Sequence, residues 1–321
     1  VSGVPADAIG YFFNDGGLTN QKLALLGLFA EAGRTGNRLV MPNLASLDVA
    51  TNRLEVLPAG RVFDQAALAA FAASHWIEIL PFSAAVMDDP DRRRRNGWDY
   101  FDKGCVLRDE WLQGRPEAGF AGEWLAALRP HVQGSFVLEI LRRAIYDQCG
   151  AQAVLQLRIE ADWQRFCATT PPTDDLSEPV LLSGPEIVAK AKARLPDLRA
   201  AYVACDDAAL TVNKESLRAA CKAESDVALW FKTDFIRRFE WDRLSTLDRA
   251  TIDFELAVEA PAFVGNSRST FANMVSAERF CRTGTPPDAH YIYNTHDPAA
   301  VLRHDRGLHA EPALATAAPV A

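Results

Sequence analysis

Three groups of residues carry side chains suited to chemistry on an anion. The first is the stretch Ala262-Phe263-Val264-Gly265-Asn266-Ser267-Arg268-Ser269-Thr270-Phe271. It starts apolar, as a buried strand does, and breaks into a Gly-Asn-Ser-Arg-Ser-Thr loop. Phe271, Met274, Val275 and Phe280 then recur at the spacing of one helix face. Small hydroxyl residues before a helix are N-caps. A strand–loop–helix turn also aims backbone N–H groups and the positive end of the helix dipole at whatever sits above it, and a phosphate or diphosphate suits that place. The pattern alone leaves capping and phosphate binding both open. The second group is Arg158, at the C-terminal end of the apolar run Val154-Leu155-Gln156-Leu157-Arg158-Ile159. One reading pairs it with nearby Glu160 or Asp162. The other gives it an anionic ligand, because desolvating a guanidinium demands a strong partner and its planar fork matches phosphate oxygens. The third is Asp253, inside the apolar helical pattern Leu247–Glu259. A buried lone carboxylate is costly, so it either pairs with an internal arginine or awaits a ligand that donates hydrogen bonds.

The elements that must position these groups read as α/β. Gly10-Tyr11-Phe12-Phe13 predicts a short strand, Asn14-Asp15-Gly16-Gly17 a turn, and Leu18 onward a helix carrying Leu23, Leu25, Leu26, Leu28 and Phe29. Arg38–Pro42 predicts a second strand. This βαβ unit points to a parallel sheet, and it places the Asn20 side chain above the C-terminal end of the first strand, where open α/β sheets bind ligands. Neither a G-x-G-x-x-G fingerprint nor a Walker loop is present. Residues 43–80 read as loops with a helix at Gln65–Ser74. Residues 120–149 read as helical, with Gly150 ending that stretch. Residues 168–178 read as a polar loop, Pro185–Ala193 as a helix, and Ala201–Cys205 as a strand. The region from Thr283 reads as a loose tail holding His290, His296, His304 and His309, with Leu314–Ala321 disordered. Asp89-Pro90-Asp91 spells a D-x-D, and Arg92–Arg95 a basic run; a solvated loop is the plainer reading of both.

With 321 residues the chain suits two domains. A boundary near residue 150 gives an N-terminal Rossmann-like lobe (1–150), a C-terminal lobe (151–300) and a flexible tail (301–321). Apolar residues at 49% and charged residues at 24% fit a globular protein, and a net charge of −8 argues against a nucleic-acid partner. No apolar run reaches membrane-span length. The 6 cysteines form no C-x-x-C and no zinc spacing with histidine, so buried free thiols are the plainer reading, with a few disulfides in an oxidising compartment left open.

Three motifs now stand in one order: Gly10-Tyr11-Phe12…Leu18-Thr19-Asn20-Gln21, then Leu157-Arg158-Ile159-Glu160-Ala161-Asp162-Trp163, then Ile252-Asp253…Phe263-Val264-Gly265-Asn266-Ser267-Arg268-Ser269-Thr270-Phe271. Together, from about residue 10 to 280, they resemble the GDP-fucose protein O-fucosyltransferase family, most closely the branch that acts on EGF-like repeats. The resemblance implies a GT-B fold, two Rossmann-like lobes with a cleft between them and the donor held mainly by the second. It implies inverting, metal-independent transfer of fucose from GDP-fucose to a protein or glycan hydroxyl, with no cofactor. Arg158 matches the family's essential arginine, which would hold the β-phosphate and offset charge on the leaving GDP. Asp253 matches its carboxylate near the base, able to accept from guanine N1–H and the 2-amino group. Ser269, Thr270 and Phe271 match its diphosphate-holding segment, and Asn20 its asparagine near sugar and acceptor. Gln156 stands where the family usually has histidine and cannot titrate near neutral pH. Thr19 replaces a glycine. No general base stands out beside Asn20, Asp15 being the nearest carboxylate. These departures keep two alternatives open: a non-catalytic GDP-sugar-binding homologue, and a glycosyltransferase using another GDP-sugar. The compartment is left open.

Overall fold

The computed structural model describes residues 8–11, 14, 16–48, 53–81, 97–115, 119–131, 135–169, 181–236, 243–283 and 289–303. The chain divides into two compact units. One comprises Val1–Val137 with Asp242–Ile252, the other Leu138–Trp241 with Asp253–Ala321. The division falls earlier than residue 150, and one segment of the second half of the chain clusters with the first unit.

In the first unit, β1 (Ala8–Ile9), β2 (Arg38–Val40) and β5 (Ile79–Leu80) form a parallel sheet of order β1-β2-β5. The helix Leu18–Thr35 connects the first two, and its leucines and Phe29 are fully buried. The first strand is shorter and earlier than Gly10–Phe13 suggested. Residues 43–58, read as loop, instead form an antiparallel pair, β3 (Asn43–Asp48) and β4 (Arg53–Pro58). Leu54 and Val56 of that pair are exposed, so no apolar-inward alternation marks it. The expected helix Gln65–Ser74 is present, capped by Asp64, whose side chain accepts from the N–H groups of Ala66 and Ala67.

The second unit is built on six strands: β6 (Ala153–Leu155), β7 (Ala200–Val203), β8 (Ala228–Trp230), β9 (Phe263–Gly265), β10 (His290–Ile292) and β11 (Val301–Leu302). Their order is β11-β10-β9-β6-β7-β8, parallel except for the β11 edge. The chain runs outward from β6 through β7 to β8, then returns to the other side of β6 with β9 and continues outward to β10. The strand order therefore reverses between β6 and β9, which is the topological switch point where open α/β sheets bind ligands. The central strands β6, β7, β9 and β10 are buried on both faces, as parallel strands covered by helices must be. Leu155, Val203, Leu229 and Val264 meet Ile187, Val188, Leu217 and Phe231 in one core, each such side chain contributing about 1.5–3 kcal/mol by leaving water.

The helix Ala161–Thr169 went unread and runs into the stretch 168–178 read as a polar loop, and the helix Lys214–Ser225 went unread. Residues 289–303, read as part of a loose tail, are ordered into the sheet. His290, Tyr291 and Ile292 form a buried strand, and Val301 and Leu302 pair with it. Phe12, Phe13, Asp15, the D-x-D, the arginine run, residues 170–178, His304, His309 and Leu314–Ala321 lie outside the described residues. All six cysteines are free. Among the described residues no helix is long and apolar enough to cross a membrane.

Candidate functional site

β6 ends at Leu155, so Arg158 lies just past the strand rather than on it. Gln156, Arg158 and Glu160 follow one another on this exit segment at the sheet's C-terminal edge. Across the switch point, β9 ends at Gly265 and the helix Thr270–Thr283 begins five residues later. Gly265 is needed there: a Cβ would sit 2.6 Å from the Phe263 ring and 2.9 Å from the Ala272 methyl.

The loop between them is tied down by side chains from both sides. Gln156 Nε2 donates to Ser269 Oγ at 2.8 Å, and its Oε1 accepts from the Asn266 N–H at 3.5 Å. Asn294, after β10, accepts from the Ser267 N–H at 2.8 Å and donates to Ser267 Oγ at 2.7 Å. The Tyr293 hydroxyl accepts from the Arg158 N–H at 3.3 Å and from Asn266 Nδ2 at 3.4 Å. Three strand ends are thus joined by one buried polar network. The first N–H groups of the helix that starts at Thr270 have no acceptor within the helix, and its dipole favours an anion there. Phe271 packs edge-on against Phe254, with ring centroids 5.6 Å apart.

The Arg158 guanidinium faces two carboxylates. Nη2 donates to Asp162 Oδ2 at 3.1 Å, and Nη1 lies 3.6 Å from Glu160 Oε2. Its plane also approaches the Trp163 ring, 4.8 Å to the centroid. Arg158 Nε is buried with no hydrogen-bond partner among the described residues. Burial opposes the charge on Arg158, but Glu160 and Asp162 more than offset it and hold the pKa above the ordinary arginine value. Glu160 is only 3% exposed. Burial pushes its carboxyl up to about 7 against the pull of Arg158. A cavity of about 490 Å³ opens beside Arg158, lined also by Leu182, Pro185, Thr211 and Leu217.

Asp253 is placed differently from either expectation. It is buried, but its partners are a lysine and a tyrosine, not an arginine. Tyr202 Oη donates to Oδ1 and Lys232 Nζ to Oδ2, each at 2.5 Å. Burial pushes the Asp253 carboxyl upward, opposed by both donors. Lys232 is held above its ordinary value, burial being outweighed by Asp253 and Asp207. The pair forms a second polar cluster at the ends of β7 and β8, where Lys232 also donates to the Cys205 carbonyl.

Asn20 lies in the first unit, in the first turn of its helix, with its N–H on the Gly17 carbonyl at 3.0 Å. A Cβ on Gly16 would fall 2.6 Å from the Asn20 side chain, so the glycine lets Asn20 pack against the turn.

The structure therefore joins Gln156, Arg158 and Ser269 in one network, with Thr270 and Phe271 opening the adjoining helix. Asp253 belongs to the neighbouring cluster. Sequence reasoning missed Lys232, Tyr202, Tyr293 and Asn294, and counted Glu160 only as an ion-pair partner. The aromatic and β-branched run Tyr291-Ile292-Tyr293 was a strand signal that could have brought Tyr293 and Asn294 to the site. Among the described residues, no group of three or more His, Cys, Asp or Glu side chains could hold a metal ion.

The α/β architecture is a GT-B-like fold. Solved structures show the same fold. The chain is similar to POFUT1 in complex with GDP, with a TM-score of 0.57 at 15% identity over 91% of this chain and 99% of that one. For POFUT1 in complex with GDP-fucose the TM-score is 0.57 at 15% identity, covering 92% and 99%. The apo form gives 0.54 at 15% identity, covering 90% and 99%. No family model and no curated protein matches the chain.

Proposed function

We propose that this protein is a glycosyltransferase that moves fucose from GDP-fucose to a hydroxyl of a protein or glycan, with inversion and without a metal. The observation that carries the reading is the Gln156–Ser269 bond across the β6/β9 switch point, with Arg158 two residues from Gln156. A fold shared over nine-tenths of the chain with POFUT1 structures that contain GDP and GDP-fucose supports it.

In this reading Arg158 and the N-terminus of the helix at Thr270 hold the diphosphate. Both favour negative charge, and the charge grows as the sugar–phosphate bond breaks, so their contribution is largest in the transition state. Ser269 and Thr270 supply hydroxyl contacts, Gln156 fixes Ser269, and Phe271 anchors the helix start. Asp253, paired with Lys232, retains a lone pair on each oxygen to accept from guanine N1–H and the 2-amino group. Asn20 serves the sugar and the acceptor, as the motif resemblance implies.

The test is turnover. Wild-type protein should release GDP from GDP-fucose in the presence of an acceptor array, with fucosylated product visible by mass spectrometry. Arg158→Ala should lose at least about a hundredfold in rate. Normal turnover by that variant would remove Arg158 from the role given to it. A second reading, a GDP-sugar-binding protein without turnover, is favoured by Gln156 and by the two carboxylates already engaging Arg158; nucleotide binding with no turnover on any acceptor would select it.

A further inference from the structure

We infer that binding of a nucleoside diphosphate sugar at Arg158 is coupled to uptake of one proton by Glu160. The inference rests on the reading of Arg158 as the diphosphate holder, and concerns how that site exchanges its own carboxylates for the ligand's phosphates.

The geometry sets up a competition. Arg158 faces two carboxyl groups, and they differ in their access to water. Asp162 hydrogen-bonds the guanidinium at 3.1 Å and its side chain is 39% exposed. Glu160 sits at 3.6 Å with a side chain 4% exposed, and its Oε2 has no hydrogen-bond partner among the described residues. A separation of 3.6 Å is a charge contact and not a hydrogen bond. Arg158 is thus the main support for a negative charge on Glu160. The other groups around that carboxylate are Asp162 on its own segment, Cys205 after β7 and Tyr293 after β10, with backbone N–H groups of Glu160 and Asp206. Cys205 and Tyr293 are pushed upward by burial and stay neutral, so of these groups Arg158 alone is a cation.

A diphosphate that engages the guanidinium draws it from both carboxylates and adds negative charge beside them. Asp162 can turn its charge to water. Glu160 cannot, because it is buried, and an ionised carboxylate without a cation in a dry site is strongly disfavoured. It takes a proton from solvent onto a carboxylate oxygen, which leaves a neutral acid that can donate a hydrogen bond to the ligand or to a backbone carbonyl. The balance is one proton from bulk to Glu160 for each ligand bound. The free-state value of about 7 places this exchange at neutral pH. Affinity then rises as pH falls, levels off below the free-state value, and drops by up to about tenfold per pH unit above it.

Calorimetric titration of the full chain with GDP-fucose, whose phosphates do not titrate near neutrality, reads the coupling. At about pH 7.5, in two buffers of different ionisation enthalpy, the binding heat should differ by the uptake of roughly half to one proton. Affinities from about pH 6 to 9 should follow the slope just given. Glu160→Gln keeps the shape and removes the titration, so its binding heat should be the same in both buffers and its affinity flat with pH. Asp162→Asn should keep the proton uptake. Buffer-independent heat in the wild type overturns the inference, as does uptake that persists in Glu160→Gln. Absence of any GDP-fucose binding at any pH overturns the nucleotide reading itself, whereas binding without proton uptake overturns only the coupling. The wild-type measurement decides by itself if Glu160→Gln does not fold.

Discussion

Gln156 Nε2 and Ser269 Oγ lie 2.8 Å apart, joining the exit of β6 to the loop that follows β9. The bond crosses the point where the strand order reverses, so it fixes the helix start at Thr270 relative to Arg158. Gln156→Ala removes the donor and the acceptor for the Asn266 N–H together. It should cost about 1–2 kcal/mol of stability in urea unfolding and weaken GDP binding by about tenfold. Equal GDP affinity in wild type and variant would show that the loop holds its shape without Gln156.

Arg158 contributes through geometry as well as charge. Its guanidinium meets Asp162, Glu160 and the Trp163 ring at once. Lysine carries the charge without the planar fork. Arg158→Lys should therefore recover little of what Arg158→Ala loses, with GDP affinity in both reduced by at least about tenfold. Full recovery by lysine, measured by calorimetry, would mean that a point charge is sufficient.

Lys232 and Asp253 form an ion pair buried in the second unit. Lys232→Met leaves Asp253 with one donor in a largely buried site, and should cost about 3–5 kcal/mol. Tyr202→Phe removes the other donor and should cost about 1.5–3 kcal/mol, since the acceptor is charged. Chemical denaturation of the two variants gives both numbers. A Lys232→Met variant as stable as wild type would show that Asp253 is neutral in the folded protein.

Glu160 should also shape stability against pH. Its folded-state value, about 7, lies above the ordinary 4.5. Between those values the folded protein holds a proton that the unfolded chain has released. The contribution of this group is thus fully present below the unfolded value and is lost as pH rises through the folded one. Wild type should lose up to about 3 kcal/mol across that window relative to Glu160→Gln, and show no further change from this group above it. Parallel stability–pH curves for the two proteins would contradict the placement of Glu160.

Much of the architecture was legible because periodicity survives in buried elements. The helix after Gly17 and the helix containing Asp253 follow from leucine and aromatic spacing, and Phe263–Gly265 with the helix at Thr270 follows from an apolar run interrupted by small polar residues. The β3–β4 pair was not, because it exposes Leu54 and Val56. The strand at His290 was hidden by its histidine, which suggested a polar tail but is fully buried against the Phe263 ring. At the site, residue types pointed to Arg158, Asp253 and the hydroxyl loop, and the motif resemblance added Gln156. Which partners they choose was not legible. Whether Asp253 meets an arginine, a lysine or a ligand depends on the packing of β7 and β8, elements more than twenty residues away in sequence.

Calorimetric titration of the full chain with GDP, UDP and ADP tests the guanine-nucleotide site most directly. GDP should bind more tightly than the other two by at least about tenfold, and Arg158→Ala should weaken it. Equal binding of all three nucleotides, or no binding of GDP, would contradict a GDP-sugar site at the β6/β9 switch point.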